Sequence, residues 1–300
     1  MPNLLTLFYR SPYAVLPAAS LLWAGNSIVG KLAIGEVTPM TLTCLRWFFV
    51  VTMLAPFLHR QAVGALPALK GRWPWLIAMA VLGYTVFNAL LYVAAHHTSG
   101  INLTMLQASI PVMVLAGTVL IYRASVSPLQ GIGTVLTLIG VGFVASAGDI
   151  QRLLALQFNI GDLYVLIACL LYTFYTLGLR RRPAMAGLTL FYWFAVVAMV
   201  ACVPLFAYEI VQGGFFWPSW KGWAIIAYVT ICPSFLSQIF YMRGVELIGP
   251  GRAGLFINLI PVFGAIMAVV VLNEPFGWAD GVAAALVFGG IAVAEFGKKA

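Results

Sequence analysis

Polar and aromatic side chains recur at helical spacing inside the long apolar runs of this chain. Trp23 and Asn26 stand three apart, so a helix puts both on one face, where they offer a ring and an amide. Asn88 and Tyr92 are four apart, and Tyr84 extends that stripe by one turn. Gln107 lies four residues before Pro111. Tyr172 and Tyr175 are spaced by three, as are Gln238 and Tyr241, and Asn258 precedes Pro261 by three. Each such residue suits a hydrogen bond between helices as well as a ligand contact. As a set they suit reversible capture of a polar, partly aromatic solute. The candidate substrate-binding residues are therefore Trp23, Asn26, Tyr84, Asn88, Tyr92, Gln107, Tyr175, Gln238, Tyr241 and Asn258.

Lys31, Arg46 and Arg252 fall within or at the ends of apolar runs and could meet a substrate carboxylate. For Lys31 and Arg46 the expectation is the other one, a long side chain snorkelling to the interface. No Asp or Glu stands clearly in the middle of a run; Asp162, Glu246, Asp280 and Glu295 sit near ends. Proton-driven carriers commonly use a buried carboxylate or histidine, so facilitated exchange, or export down a gradient, is expected. Pro111 and Pro261 each remove a backbone hydrogen bond and are read as hinges or as static kinks.

No catalytic constellation appears. There is no His-Glu-x-x-His, no Gly-x-Ser-x-Gly and no phosphate-cradling loop. Gly131-Ile132-Gly133 lacks the third glycine of a dinucleotide loop and reads as packing. Adjacent His96 and His97 point in different directions on a helix and lack a nearby acidic or Cys partner, so no metal site is expected. Cys44, Cys169, Cys202 and Cys232 lie in apolar runs as free thiols. The expectation is a protein without cofactor and without enzymatic activity.

The elements that must carry these residues are membrane helices. Of the 300 residues, 63% are hydrophobic and 8% charged, against about 25% charged in soluble domains. That excludes a soluble enzyme, a disordered chain and a nucleic-acid-binding domain. Runs of about 20 apolar residues mark ten candidate spans: Ser11–Ile34, Thr38–Leu58, Trp73–Ala95, Ser99–Tyr122, Ser125–Gly148, Ile160–Leu179, Ala184–Tyr208, Trp220–Met242, Gly249–Asn273 and Pro275–Phe296. With the N-terminus inside, the inner loops and ends hold Arg10, Arg60, Lys70, Arg72, Arg123, Arg180, Arg181, Arg182, Arg243, Lys298 and Lys299. The outer loops hold Arg152 and Lys221. The positive-inside rule then puts both termini in the cytoplasm. Trp73, Trp75, Trp217 and Trp220, at span ends, read as an interfacial belt.

The chain also repeats itself. Shifting Ser99–Gly148 by 150 residues lays Ile110-Pro111-Val112 on Ile260-Pro261-Val262, and matches Val119, Gly131, Leu136 and Gly140 to Val269, Gly281, Leu286 and Gly290. Leu21-Leu22-Trp23 resembles Leu170-Leu171-Tyr172. Two halves, 1–148 and 149–300, each with an odd number of spans, must cross the membrane in opposite senses. Inverted repeats of this kind mark carriers that work by alternating access.

The motifs Trp23-Ala24-Gly25-Asn26, Arg46, Pro111-Val112, Gly161-Asp162-Leu163, Pro261-Val262 and Asn273-Glu274-Pro275 resemble the drug/metabolite transporter superfamily. More narrowly, the chain is similar to its ten-helix EamA-type exporters, and most of all to the aromatic amino-acid exporters. One departure is Tyr172-Thr173 where that family often has Trp-Ala. The resemblance implies an all-α membrane protein of two inverted five-helix repeats around a central cavity. It would sit in a bacterial cytoplasmic membrane, as monomer or homodimer, and export an amino acid or related metabolite.

Overall fold

A backbone in lipid must close its hydrogen bonds internally, and helices do so. The computed structural model describes residues 4–98, 106–107, 109–146, 151, 159–272 and 278–296, and among them no strand occurs. The first half holds α1 (Leu4–Arg10), α2 (Pro12–Leu32), α3 (Pro39–Gly64), α4 (Trp73–Ala80), α5 (Phe87–His97), α6 (Ser109–Tyr122) and α7 (Pro128–Ser146). The second holds α8 (Ile160–Gly178), α9 (Gly187–Val211), α10 (Trp220–Val229), α11 (Ser237–Ile248), α12 (Pro250–Leu255), α13 (Leu259–Leu272) and α14 (Trp278–Phe296). Two π segments join pairs of these helices, Val81–Val86 between α4 and α5 and Thr230–Leu236 between α10 and α11.

Six described helices are long and apolar enough to cross a membrane: Pro12–Gly30, Pro39–Gly64, Trp73–His97, Ile160–Arg181, Gly187–Val211 and Trp220–Ile248. With the family described below, they make the chain a multi-pass membrane protein. The first expected span begins differently. Arg10 ends a separate short helix, and Pro12 opens α2 where its missing N–H costs nothing. Residues 99–105, with the start of the expected fourth span, residues 152–158 and the Asn273-Glu274-Pro275 motif lie outside the described residues.

The helices pack α3 on α9, α5 on α8, α8 on α6, α2 on α11 and α13, and α7 on α14. At the last contact the backbones touch. A Cβ on Gly133 would stand 2.4 Å from the Gly290 carbonyl oxygen, and one on Gly290 would stand 2.7 Å from that of Gly133. Gly133 is thus a packing glycine, as expected. Bulky apolar side chains cover the outside: Phe57, Leu120 and Val211 are each exposed over about four-fifths of their surface, which lipid rather than water can accept.

Charged caps tie the two halves at one end. Thr38 makes no side-chain cap for α3. The Glu209 carboxylate does so from α9, accepting the Met40 N–H at 2.9 Å, the Thr41 N–H at 3.0 Å and the hydroxyls of Thr38 and Thr41. A carboxylate at a helix N-terminus also meets the positive end of the dipole. Beside it, Ser219 caps α10 and donates its hydroxyl to Glu36, whose second oxygen is 3.8 Å from Lys221. At the start of α8, Asn159 and Asp162 form a reciprocal capping box, and Thr98 at the end of α5 donates to Asp162 at 2.5 Å.

One expectation about the aromatic belt changes. Trp217 and Trp220 are 78% exposed and fit an interfacial belt. Trp75 does not: it packs against Phe194 with its indole N–H buried. The aromatic surface of α9 offers a better place for that ring than lipid. Pro111 lies in α6 with helical residues Leu106 and Gln107 shortly before it, and Pro261 lies in α13, which follows α12 through a single turn, so both prolines stand inside helical stretches. Ahead of Pro261 the helix tightens to a 3₁₀ turn, Phe256–Asn258.

Candidate functional site

The site grows from the two π segments. Pro233 has no N–H, so the α-type bond to the Val229 carbonyl cannot form and the chain takes the wider π turn, in which bonds run five residues on. The Ser234 hydroxyl also donates to Val229 O, at 2.5 Å. The Ser237 hydroxyl donates to Cys232 O at 3.1 Å beside that residue's own N–H, and Trp23 Nε1 reaches Pro233 O at 3.3 Å. In the first half the Tyr84 carbonyl receives two side chains. It accepts from Asn88 Nδ2 at 2.6 Å and from Trp47 Nε1 at 3.1 Å. Such π bulges widen a helix and often accompany functional sites.

Arg46 lies between the two segments. Its side chain is 2% exposed. Nε donates to Ser234 Oγ at 2.6 Å, while Nη1 donates to Asn88 Oδ1 and Tyr92 OH at 2.8 Å each. The expectation that Arg46 snorkels is overturned. An arginine at mid-membrane costs about 2.5–3.5 kcal/mol on insertion scales. Hydrogen bonds to a charged group contribute about 1.5–3 kcal/mol each, so these three hold the head inside. The Lys31 side chain lies outside the described residues.

An aromatic cluster adjoins the guanidinium. Tyr92 donates to Asn26 Oδ1 at 3.2 Å. One helical turn earlier, Trp23 meets Tyr241 at 5.2 Å and Tyr172 at 6.0 Å between ring centroids. Phe87 stacks on Tyr172 at 4.7 Å. Tyr84 and Tyr175 share a hydroxyl contact of 3.0 Å, and Gly83 lets the Tyr175 ring lie on the π segment, since a Cβ there would be 2.5 Å from its Cγ. The hydroxyl of Tyr172 and Oε1 of Gln238 are buried without a hydrogen-bond partner.

Below this cluster a pocket of about 450 Å³ opens among α6, the start of α7, the turn after α8, α11 and α12. Met242 lines it and also accepts from Tyr84 OH at 3.5 Å, so that sulfur separates the pocket from the aromatic cluster. Arg180, Arg182, Arg252 and Glu246 give the pocket a basic wall. Glu246 bridges Arg182 at 2.8 Å and Arg243 at 3.0 Å.

The EamA-like transporter family matches residues 11–146 and again residues 159–296. This chain belongs to that family. As an EamA-like transporter it works in a lipid bilayer on a small-molecule substrate. Its relatives include the uncharacterized transporters YetK and YyaM of Bacillus subtilis. Each is 22% identical; the match to YetK covers 96% of this chain and 87% of that protein, and the match to YyaM covers 94% and 93%. An uncharacterized transporter of Archaeoglobus fulgidus is 23% identical over 87% of this chain and 89% of its own length. A solved crystal structure shares the fold with a TM-score of 0.75 at 18% identity, covering 94% of this chain and 95% of its own.

For this EamA-like transporter the structure joins Trp23, Asn26, Tyr84, Asn88, Tyr92, Tyr175 and Tyr241 in one network with Arg46. Gln238 shares a helix face with Ser234 and Tyr241, four and three residues away. Asn258 stands apart: it is fully buried and donates to Thr137 Oγ1 of α7 at 2.8 Å, a contact between helices. Gln107 is half-buried. Sequence reasoning missed Ser234, Phe87 and Met242, and set Tyr172 aside. Ser234 precedes Gln238 by four residues, a spacing that could have found it.

Proposed function

We propose that this chain is a secondary transporter that exports small metabolites across a bacterial cytoplasmic membrane by alternating access. In this reading ten spans form two inverted five-helix repeats, with both termini in the cytoplasm. The observation that carries it is the pair of π segments. They start 149 residues apart, one in each family match, and both bond to the same stretch of α3, Arg46-Trp47. A polar site at the junction of two repeats is where a carrier would open alternately to either side.

Aromatic and other hydrophobic amino acids are the first cargo class to test. Trp23, Tyr172, Tyr241 and Phe87 supply rings, and Asn26, Asn88 and Gln238 supply amides. The site would bind by stacking and hydrogen bonds. The test is uptake of labelled phenylalanine, tryptophan and threonine by proteoliposomes holding the purified protein, against empty liposomes. Saturable uptake competed by unlabelled aromatic amino acids supports the reading. Absence of uptake of all three by folded protein removes the amino-acid assignment.

A further inference from the structure

Resting on the transport reading but departing from its amino-acid cargo, we infer that Arg46 anchors the cargo by a carboxylate, and that the cargo carries an aromatic or bulky apolar body and no ammonium group.

The guanidinium has five N–H donors, and the contacts to Ser234, Asn88 and Tyr92 use those on Nε and Nη1. The Nη2 amino group has no hydrogen-bond partner among the described residues. All three partners are neutral. The carboxylates whose side chains are described are engaged elsewhere: Glu36 with Ser219, Asp162 with Thr98, Glu209 at the head of α3, and Glu246 with Arg182 and Arg243. None pairs with Arg46. The protein thus holds a buried positive charge with a free pair of donors, and a planar carboxylate fits that fork. Hydrogen bonds hold the charge in place without neutralising it.

A zwitterion would neutralise Arg46 and bring in a second positive charge. An ammonium needs acceptors, and in carriers unwound backbone carbonyls commonly supply them. Here the carbonyls of Tyr84, Val229, Cys232 and Pro233 are already taken by side chains of the protein. What remains is neutral: the Tyr172 hydroxyl and Gln238 Oε1, both buried and unpartnered. Those two groups can bond a neutral polar substituent or the second carboxylate oxygen, but they add no negative charge. A monocarboxylate leaves the site electrically balanced, whereas a zwitterion leaves it positive in a medium where charge is costly. The apolar body has its place two bonded steps away. Ser234 adjoins Pro233, whose carbonyl holds Trp23, and Trp23 leads into the rings of Tyr172 and Tyr241.

The experiment compares three ligands of one skeleton, 3-phenylpropionate, phenylalanine and phenethylamine, on the purified full-length protein. Binding is read by intrinsic tryptophan fluorescence, and transport by counterflow in proteoliposomes. 3-Phenylpropionate is expected to bind at least tenfold more tightly than phenylalanine, with phenethylamine weaker still. Arg46→Gln is expected to abolish that preference, so that 3-phenylpropionate binds no better than its neutral amide. Arg46→Lys, which keeps the charge, is expected to keep the preference with weaker binding. The wild-type ranking decides the matter even where the variants fail to fold. Phenylalanine bound as tightly as 3-phenylpropionate overturns the inference, and leaves transport standing if phenylalanine exchanges in counterflow. Preferred binding of 3-phenylpropionate without any counterflow upholds the anion site and overturns the transport reading. Failure of all three to bind overturns the inference.

Discussion

Arg46 Nε donates to Ser234 Oγ at 2.6 Å, and Ser234 Oγ in turn donates to Val229 O across the π segment that holds Pro233. A π segment in one half of the chain thereby sets the acceptor for a buried charge in the other. Ser234→Ala removes both bonds at once and leaves Nε–H buried. Loss of a bond to a charged group costs about 1.5–3 kcal/mol. Ser237→Ala, one turn on, breaks a neutral bond to Cys232 O at 3.1 Å and should cost about 1 kcal/mol. Thermal melts in detergent should rank Ser234→Ala clearly below Ser237→Ala. Equal losses would show that the charged bond carries no special weight.

Gly83 sits where the Tyr175 ring crosses the first π segment. A Cβ there would come within 2.5 Å of Cγ and 2.9 Å of Cβ of that tyrosine. Tyr175 is fully buried and also packs on Tyr84, Tyr172 and Phe194, so it has no room to retreat. Overpacking of this kind costs about 1–3 kcal/mol. Gly83→Ala is therefore expected to lower the melting temperature and the folded yield. Gly131→Ala is the control, because nothing lies within 4 Å of a Cβ there. A Gly83→Ala protein that melts like wild type would mean the ring does not rest on this backbone.

Much of the site could be read from spacing alone. Asn88 and Tyr92, four apart, do share a face, and both receive Arg46. Trp23 and Asn26 also point to one place. Burial is what spacing does not reveal. The same arginine can snorkel or turn inward, and the difference lies in acceptors on other helices, Ser234 above all. Asn258, a polar residue in an apolar run, bonds Thr137 on a neighbouring helix, a partner that spacing does not foresee. The π segments carry no periodic signature, because the side chains that bond their carbonyls include ones distant in sequence, such as Trp47 and Trp23. Long apolar runs were legible as helices because lipid allows the backbone little else.

The head of α3 makes a separate test of how the halves are tied. Glu209 supplies the cap that Thr38 does not make for its own helix. Removing a cap costs about 0.5–2 kcal/mol. Glu209→Ala should lose the full amount. Glu209→Gln, which keeps one carbonyl acceptor, should lose less. Because Thr41 offers both its N–H and its hydroxyl, a double-mutant cycle of Glu209→Ala with Thr41→Val should give a coupling energy of the order of 0.5–1 kcal/mol. Strict additivity would place Glu209 away from α3.

The basic pocket makes a prediction about sidedness. Its lining includes Ser125 and Gln130 near the start of α7, beside Arg180 and Arg182. If the arginine-rich ends face the cytoplasm, as the positive-inside rule requires, the pocket opens inward. Gln130→Cys should then react with a membrane-impermeant maleimide in inside-out vesicles and resist it in intact cells. Wild-type protein is the background, since Cys169 and Cys202 are buried and Cys44 and Cys232 only half-exposed. Trp217→Cys, on the loop between α9 and α10, should show the opposite pattern. Labelling of both positions from the same side would overturn the orientation, because α8, α9 and the Trp220–Ile248 rod place them at opposite ends of the bundle.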